Sequence, residues 1–292
     1  MNANRWNDKV EWLKAIRTGW FNEDYIQFLI DKVWKLNDPV NIIDFGCGFG
    51  YIGLLFLPLL PKGSTYTGID ISENLINEAK SIFEDSGYKT TFIQADLNDY
   101  HPIAKYDIAI SQAVLRHIPN ATDILAKMKD SVINNGLVIC METDLELEKA
   151  GIYFKGLNYG ELGITPLMRK LWEKELKDGG RDYRFAIRIP SVMQDIGLKN
   201  VRVRMSDSVY FINPNTTNTK QYEAFSSAWG WNTLLQEEDR ANFIKSLLDK
   251  GLNEEEAETY FKGEQKIREY LTHKNEVSIV KAPCTLITSG NK

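Results

Sequence analysis

Residues 42–50 read IIDFGCGFG, an apolar run and an acid followed by three glycines at alternate positions. Val40, Ile42 and Ile43 read as the end of a buried parallel strand. Gly46, Gly48 and Gly50 supply a backbone that turns sharply and has no Cβ to hold a ligand off. The apolar segment 51–60 then reads as a helix packed under a sheet. Strand, glycine turn and helix start together cradle a nucleotide-like ligand. Gly48-Phe49-Gly50-Tyr51-Ile52-Gly53 also fits G-x-G-x-x-G, and Asp70 follows Gly50 by twenty residues, as in a dinucleotide fingerprint. Asp44 and Gly46 extend the pattern to D-x-G-x-G-x-G. A carboxylate ahead of the loop repels a diphosphate and suits an ammonium group, so the charge favours an amino-acid-bearing adenosine over a dinucleotide.

Other chemistry-bearing residues sit at the ends of further apolar runs. Asp70 stands at a strand tip, where a carboxylate can accept both ribose hydroxyls. His117 titrates near neutrality when unperturbed, which suits a general base, although packing or hydrogen bonding also explains it. Arg116 reads either as a solvated helix cation or as a binder of an acidic substrate. Glu142 and Asp144, just past a strand, form a carboxylate pair able to take a proton or bind an amine. Trp20 and Tyr25 belong to an aromatic N-terminal segment that packs on the core or lines the mouth of a substrate pocket.

The elements that position these residues alternate. Strands are expected at 65–69, 90–93, 106–111 and 137–142, with helices over 72–83 and 122–132 between them. Such alternation implies a parallel sheet with right-handed crossovers. Ser72 is placed to cap its helix, and Asn22 to cap one running to about residue 36. Later come helices over 166–177 and 190–196, a strand over 201–211, and a last strand over 277–288 that returns antiparallel. Residues 1–37 are read as an N-terminal helical lid. Residues 38–212 and 275–292 are read as the nucleotide-binding domain, with a cap insertion at 144–188. Residues 213–274 form a second helical cap insertion.

The glycine stretch resembles motif I of the class I S-adenosylmethionine (SAM) dependent methyltransferases. YTGIDIS at 66–72, QADLND at 94–99, YDIAISQAVLRHIP at 106–119 and the strand at 137–142 match later motifs in order. The resemblance spans roughly residues 40–204 and the last strand. It implies an α/β, doubly wound, mostly parallel seven-stranded Rossmann-like sheet with an added helical cap. It implies SAM as cofactor, S-adenosylhomocysteine (SAH) as product, and SN2 transfer of a methyl group to a small molecule. Asp44, Gly46, Cys47, Gly48 and Gly50 would then surround the methionine part, and Asp70 would take the ribose. Ile71, Asp96 and Leu97 would meet the adenine, and Gln112 and Ala113 would border the methyl. His117 and Glu142 are the catalytic candidates; Trp20, Tyr25 and Arg116 are the substrate-side candidates. An NAD-dependent oxidoreductase and a SAM-binding sensor without turnover remain open alternatives.

The 292 residues carry a net charge of −5 and are 43% hydrophobic, which points to a globular chain with a real core and away from nucleic acid as substrate. Cys47, Cys140 and Cys284 are widely spaced and odd in number, as expected of reduced cytosolic thiols. The first residues lack an apolar signal core, and the longest apolar run contains Pro58 and is half the length of a membrane span. The expectation is a cytoplasmic monomer or homodimer with no metal, membrane or nucleic-acid partner.

Overall fold

The computed structural model describes residues 4–17, 20–158, 164–213, 219–272 and 277–292. Among the described residues, ten strands carry the architecture: β1 Asn41–Phe45, β2 Thr65–Asp70, β3 Lys89–Gln94, β4 Tyr106–Gln112, β5 Val132–Thr143, β6 Ile152–Phe154, β7 Lys199–Met205, β8 Tyr210–Ile212, β9 Ile279–Lys281 and β10 Thr285–Asn291. Seven of them form one sheet in the order β3-β2-β1-β4-β5-β10-β7. β1 to β5 pair in parallel, and β10 lies antiparallel between β5 and β7.

Neighbouring residues of one strand serve opposite layers, as the two-residue period of a strand requires. Ile42, Ile108 and Ile139 pack on one face with Ile26, Ile30, Phe56 and Ile76. Ile43, Ala109 and Val138 pack on the other with Ile124, Leu125, Met128 and Ile189. Burial on both faces explains why these strands read as continuous apolar runs. Ser72 caps helix Glu73–Phe83, its hydroxyl accepting from Leu75 N at 3.3 Å.

Several expected boundaries move. The strand expected over 201–211 is two strands, because the Ser206-Asp207-Ser208 stretch turns the chain out of the main sheet. The last strand divides in the same way at Pro283, which has no N–H for a ladder, and at Cys284, which sits at φ 51°. β6, β9 and β8 make a separate three-stranded sheet. Helix Phe185–Asp195 begins ahead of Pro190 rather than at it, driven by a buried stripe of Phe185, Ala186, Ile189 and Met193. Asn22 has the extended backbone of an N-cap but spends its amide on Asp207 Oδ2 at 3.1 Å.

Helices Asn4–Asn7 and Val10–Arg17 lie over the C-terminal edge of the sheet. The second insertion contributes helices Thr219–Ala228, Glu237–Asp249 and Glu254–Thr272. Among the described residues, no helix is long and apolar enough to cross a membrane, and no cluster of His, Cys, Asp or Glu could hold a metal ion.

Candidate active site

The glycine loop folds back over the end of β2. Gly46 N and Cys47 N donate to Ile69 O at 2.8 and 2.9 Å, and Gly48 N donates to Asp70 Oδ2 at 2.9 Å. Asp70 Oδ1 accepts from Ser72 N at 2.9 Å, so one carboxylate ties the loop to the following helix. The glycines differ in what they permit. A Cβ on Gly46 would lie 2.4 Å from Val114 Cγ2, and one on Gly50 would lie 2.8 Å from Phe83 Cε2. Gly48, at φ +54°, would meet nothing within 4 Å, because it borders open space.

That space is a cavity of about 350 Å³ at the C-terminal ends of the parallel strands. Gly46, Gly48, Asp70, Ile71, Asp96, Leu97, Gln112 and Ala113 form its sheet-edge wall. Trp12, Leu13, Ile16, Arg17 and Trp20 roof it. Asp44, Cys47 and Gly50 are not in the wall. Cys47 packs against Gly68, and burial pushes its thiol well up, leaving it unreactive. Asp44 lies under the loop, 1% exposed, where Tyr66 donates to Oδ2 and Oδ1 has no partner. Burial raises its carboxyl to about 7 against the opposing Tyr66 hydrogen bond.

The catalytic candidates fare differently from the cofactor-side residues. Glu142 is 1% exposed and turned from the cavity; its Oε1 accepts from Val114 N at 2.7 Å and Leu115 N at 2.8 Å. It fixes the bend that follows Ala113, itself at φ 56°. Asp144 caps helix Leu145–Ala150 and is wholly buried, so the anticipated carboxylate pair does not face a substrate. His117 lines the cavity, but its Nε2 accepts from Arg116 Nε at 3.2 Å, which assigns the ring proton to Nδ1. Burial, with Arg116, Arg17 and Lys9 nearby, holds the imidazole well below its ordinary range, so the ring is neutral. With the Nε2 lone pair engaged, His117 is not poised as a base.

Of the substrate-side candidates, Trp20 lines the cavity and donates from Nε1 to Thr285 Oγ1 at 3.1 Å. Arg116 also lines it, on the turn Leu115–His117, rather than facing solvent from a helix. Tyr25 does not; its hydroxyl donates to Met205 O at 2.9 Å.

Sequence reasoning missed the rest of the enclosure. Arg17 stacks 4.4 Å from Trp20 and has no ion-pair partner among the described residues; burial lowers it to about 10. The helical period gave a hint, since Leu13 and Arg17 share a face and Leu13 is buried. Glu148 and Lys281 pair at 2.9 Å on the far wall, with Lys281 Nζ 5.1 Å from the Trp229 ring. The roof is clipped down at Asn7, whose Oδ1 accepts from Ser72 Oγ at 2.7 Å and whose carbonyl accepts from Asn74 Nδ2 at 3.0 Å. An ion pair between Lys14 and Glu78 adds a second clip.

Residues 36–179 match the family model of a methyltransferase domain. The chain is 27% identical over 142 residues to the ubiquinone biosynthesis O-methyltransferase of Rickettsia prowazekii, covering 48% of this chain and 54% of that one. It is 25% identical over 190 residues to the Rickettsia akari protein of the same name, covering 58% and 73%. The chain thus spans about half the length of the first of these relatives. Among solved structures, a phosphoethanolamine N-methyltransferase of Haemonchus contortus is 12% identical with a TM-score of 0.48, over 92% of this chain and 52% of that one. Residues 36–179 thus carry a methyltransferase domain, and the ordered motifs and the sheet order agree with the class I SAM-dependent kind.

Proposed function

We propose that this chain is a SAM-dependent methyltransferase acting on a small-molecule acceptor. One observation supports this reading above the others. One cavity gathers the open face of Gly48, the carboxylates of Asp70 and Asp96, and the strand end at Gln112 and Ala113. SAM, when bound, supplies a methyl carbon whose bond to sulfur breaks with the electron pair leaving as the thioether SAH, while an acceptor lone pair forms the new bond.

The chain's own residues then bind, orient and dry the reactants. Gly48 leaves room for a ligand against its backbone. Asp70 already accepts two backbone N–H groups, and its two oxygens keep lone pairs for the ribose hydroxyls. Ile71 and Leu97 offer apolar surface to the adenine. Arg17, without an acid of its own, is the counter-ion for the methionyl carboxylate. Asp44, beneath the loop with Oδ1 unpartnered, supplies the negative potential for the ammonium from behind the wall. Helix Val10–Arg17 closes the roof and excludes solvent. Alignment and desolvation are most of what an SN2 transfer from a sulfonium needs, so a site without a free base suits the chemistry. A partly roofed cavity of about 350 Å³ suits a small molecule better than a nucleic-acid strand, and our reading keeps the protein in the cytoplasm as a monomer or homodimer.

Calorimetry with SAM, SAH and NAD, using Asp70→Ala as control, tests the reading. Both adenosyl ligands are expected to bind the wild type, with affinity lost roughly 100-fold in the variant as two charge-assisted bonds disappear. Binding of NAD without SAM overturns the reading in favour of a dehydrogenase.

A further inference from the structure

The charges on the cavity wall do not balance. Its acids are Asp70, Asp96 and Glu148, the first two at the adenosyl end and the third paired with Lys281 at 2.9 Å. Its cations include Arg181, which pairs with Glu175 at 3.6 Å outside the wall. Lys9, also in the wall, has its Nζ 5.7 and 4.9 Å from the Trp6 and Trp12 rings, and neither Arg17 nor Arg116 has a carboxylate within ion-pair distance among the described residues. Glu142 feels both guanidiniums but lies beyond ion-pair distance of either; its Oε1 accepts from the amides of Val114 and Leu115, and its Oε2 has no hydrogen-bond partner. Both are part-buried, and Arg116 Nη1 is shut off from solvent with no hydrogen-bond partner, a cost that a ligand would remove.

The proposed cofactor does not complete both. Its one carboxylate can satisfy Arg17, while its ammonium and sulfonium bring two further positive charges to the same space. Arg116 therefore remains, and its position points to the acceptor side. Its carbonyl accepts from Asp182 N at 3.1 Å, which docks the turn Leu115–His117 against the cap segment carrying Arg181 and Tyr183. His117 Nε2 accepts from Arg116 Nε at 3.2 Å and so fixes one edge of the guanidinium, leaving the other for a ligand. Apolar and aromatic surface lines the same cavity: Tyr183 on the docked cap segment, with Leu145, Phe225 and Trp229.

Resting on the methyltransferase reading, we infer that the methyl acceptor is a small carboxylic acid with a planar, apolar body, its carboxylate held by Arg116 and its body against the Tyr183–Phe225–Trp229 wall. A guanidinium recognises a carboxylate through two parallel bonds, a geometry an amide or ester cannot match.

The test is calorimetric titration of benzoate, phenylacetate and cinnamate, each against its primary amide, into protein saturated with SAH. At least one acid is expected to bind, and its amide to bind roughly 10-fold or more weakly. Arg116→Met is expected to erase the preference while leaving SAH affinity within about a factor of three; a loss of that size or less lies within roughly 0.7 kcal/mol. Arg17→Met is expected to do the reverse, weakening SAH first. Three results overturn the inference while leaving the cofactor reading intact, provided SAH binds the wild type. In the first, no acid of the panel binds. In the second, amides bind as well as acids. In the third, Arg116→Met loses SAH as severely as it loses the acid. Failure of SAH to bind the wild type overturns the cofactor reading and this inference together.

Discussion

Asp44 sets binding against stability in one carboxyl group. Its folded value of about 7 lies above the unfolded 3.8, so the folded chain holds the proton more tightly. Stability therefore falls as pH rises from about 4 to about 7, and the loss is complete above that window. At 1.36 kcal/mol per unit the loss reaches a few kcal/mol. Asp44→Asn keeps an acceptor for Tyr66 and removes the charge. The variant is expected to resist urea better than the wild type at pH 8 and by a clearly smaller margin at pH 5, while binding SAM more weakly. Urea midpoints at the two pH values decide it; an unchanged difference across pH removes Asp44 as the cause. Residues such as Asp70 and Asp96 were legible because an acid that ends an apolar run has little to do there besides meeting a ligand or capping the next helix. Arg17 was not, because a cation at the end of a short helix looks the same in sequence whether it faces water or a cavity. Glu148 and Lys281 meet only through the small second sheet, so no spacing announces the pair.

At the scale of elements, the glycine loop makes two substitutions separable. Gly46→Ala drives a methyl to 2.4 Å from Val114 Cγ2 at a φ of +82°, and is expected to cost about 2 kcal/mol or more of stability. Gly48→Ala meets no atom, so only its left-handed backbone opposes it, at about 1 kcal/mol. Its methyl enters the cavity, however, so cofactor affinity is expected to fall further than stability does. Chemical denaturation and SAH titration of both variants check the contrast, and equal effects on the two measurements would rule it out. The parallel strands and Ser72 cap were legible because each rests on local patterning. The divided strands at 199–212 and 279–291 were not, since both halves are apolar and only the polar turn or proline between them marks the break. Pro190 misled for the opposite reason: a breaker by local rule, it is overridden by the buried stripe around it.

For the whole molecule, the roof is the part expected to move when a ligand of this size enters and to settle on it afterwards. It is held by polar contacts of small individual strength, Asn7 to Ser72 and Asn74 and Lys14 to Glu78, and by the packing of Leu13 on Phe49 and Leu75. SAH at one hundred times its dissociation constant is expected to raise stability by about 2.7 kcal/mol. It is also expected to slow amide exchange over residues 10–17 more than elsewhere. Asn7→Ala should speed that exchange in the free protein and leave the sheet unchanged. Equal protection across the chain on binding would mean that the roof does not move. The doubly wound architecture was legible as alternating helices and strands, whereas the enclosure was not. Its walls are drawn from the N-terminal helices, the turn after β4, the two insertions and the stretch around Pro283, and only tertiary packing brings these together.

The antiparallel β10 has a further consequence, for synthesis on the ribosome. β7 has no neighbour in the main sheet except β10, and the three helices of the second insertion are made between the two. Residues 199–205 therefore leave the exit tunnel as an unpaired edge with exposed Val203 and Met205, and must wait for residues 285–291. Thr285 also accepts from Trp20 of the roof, so the strand that completes the sheet helps fasten the cover over the cavity. A nascent chain can assemble its parallel half early, but it acquires an enclosed site only when this late hairpin-like closure is made.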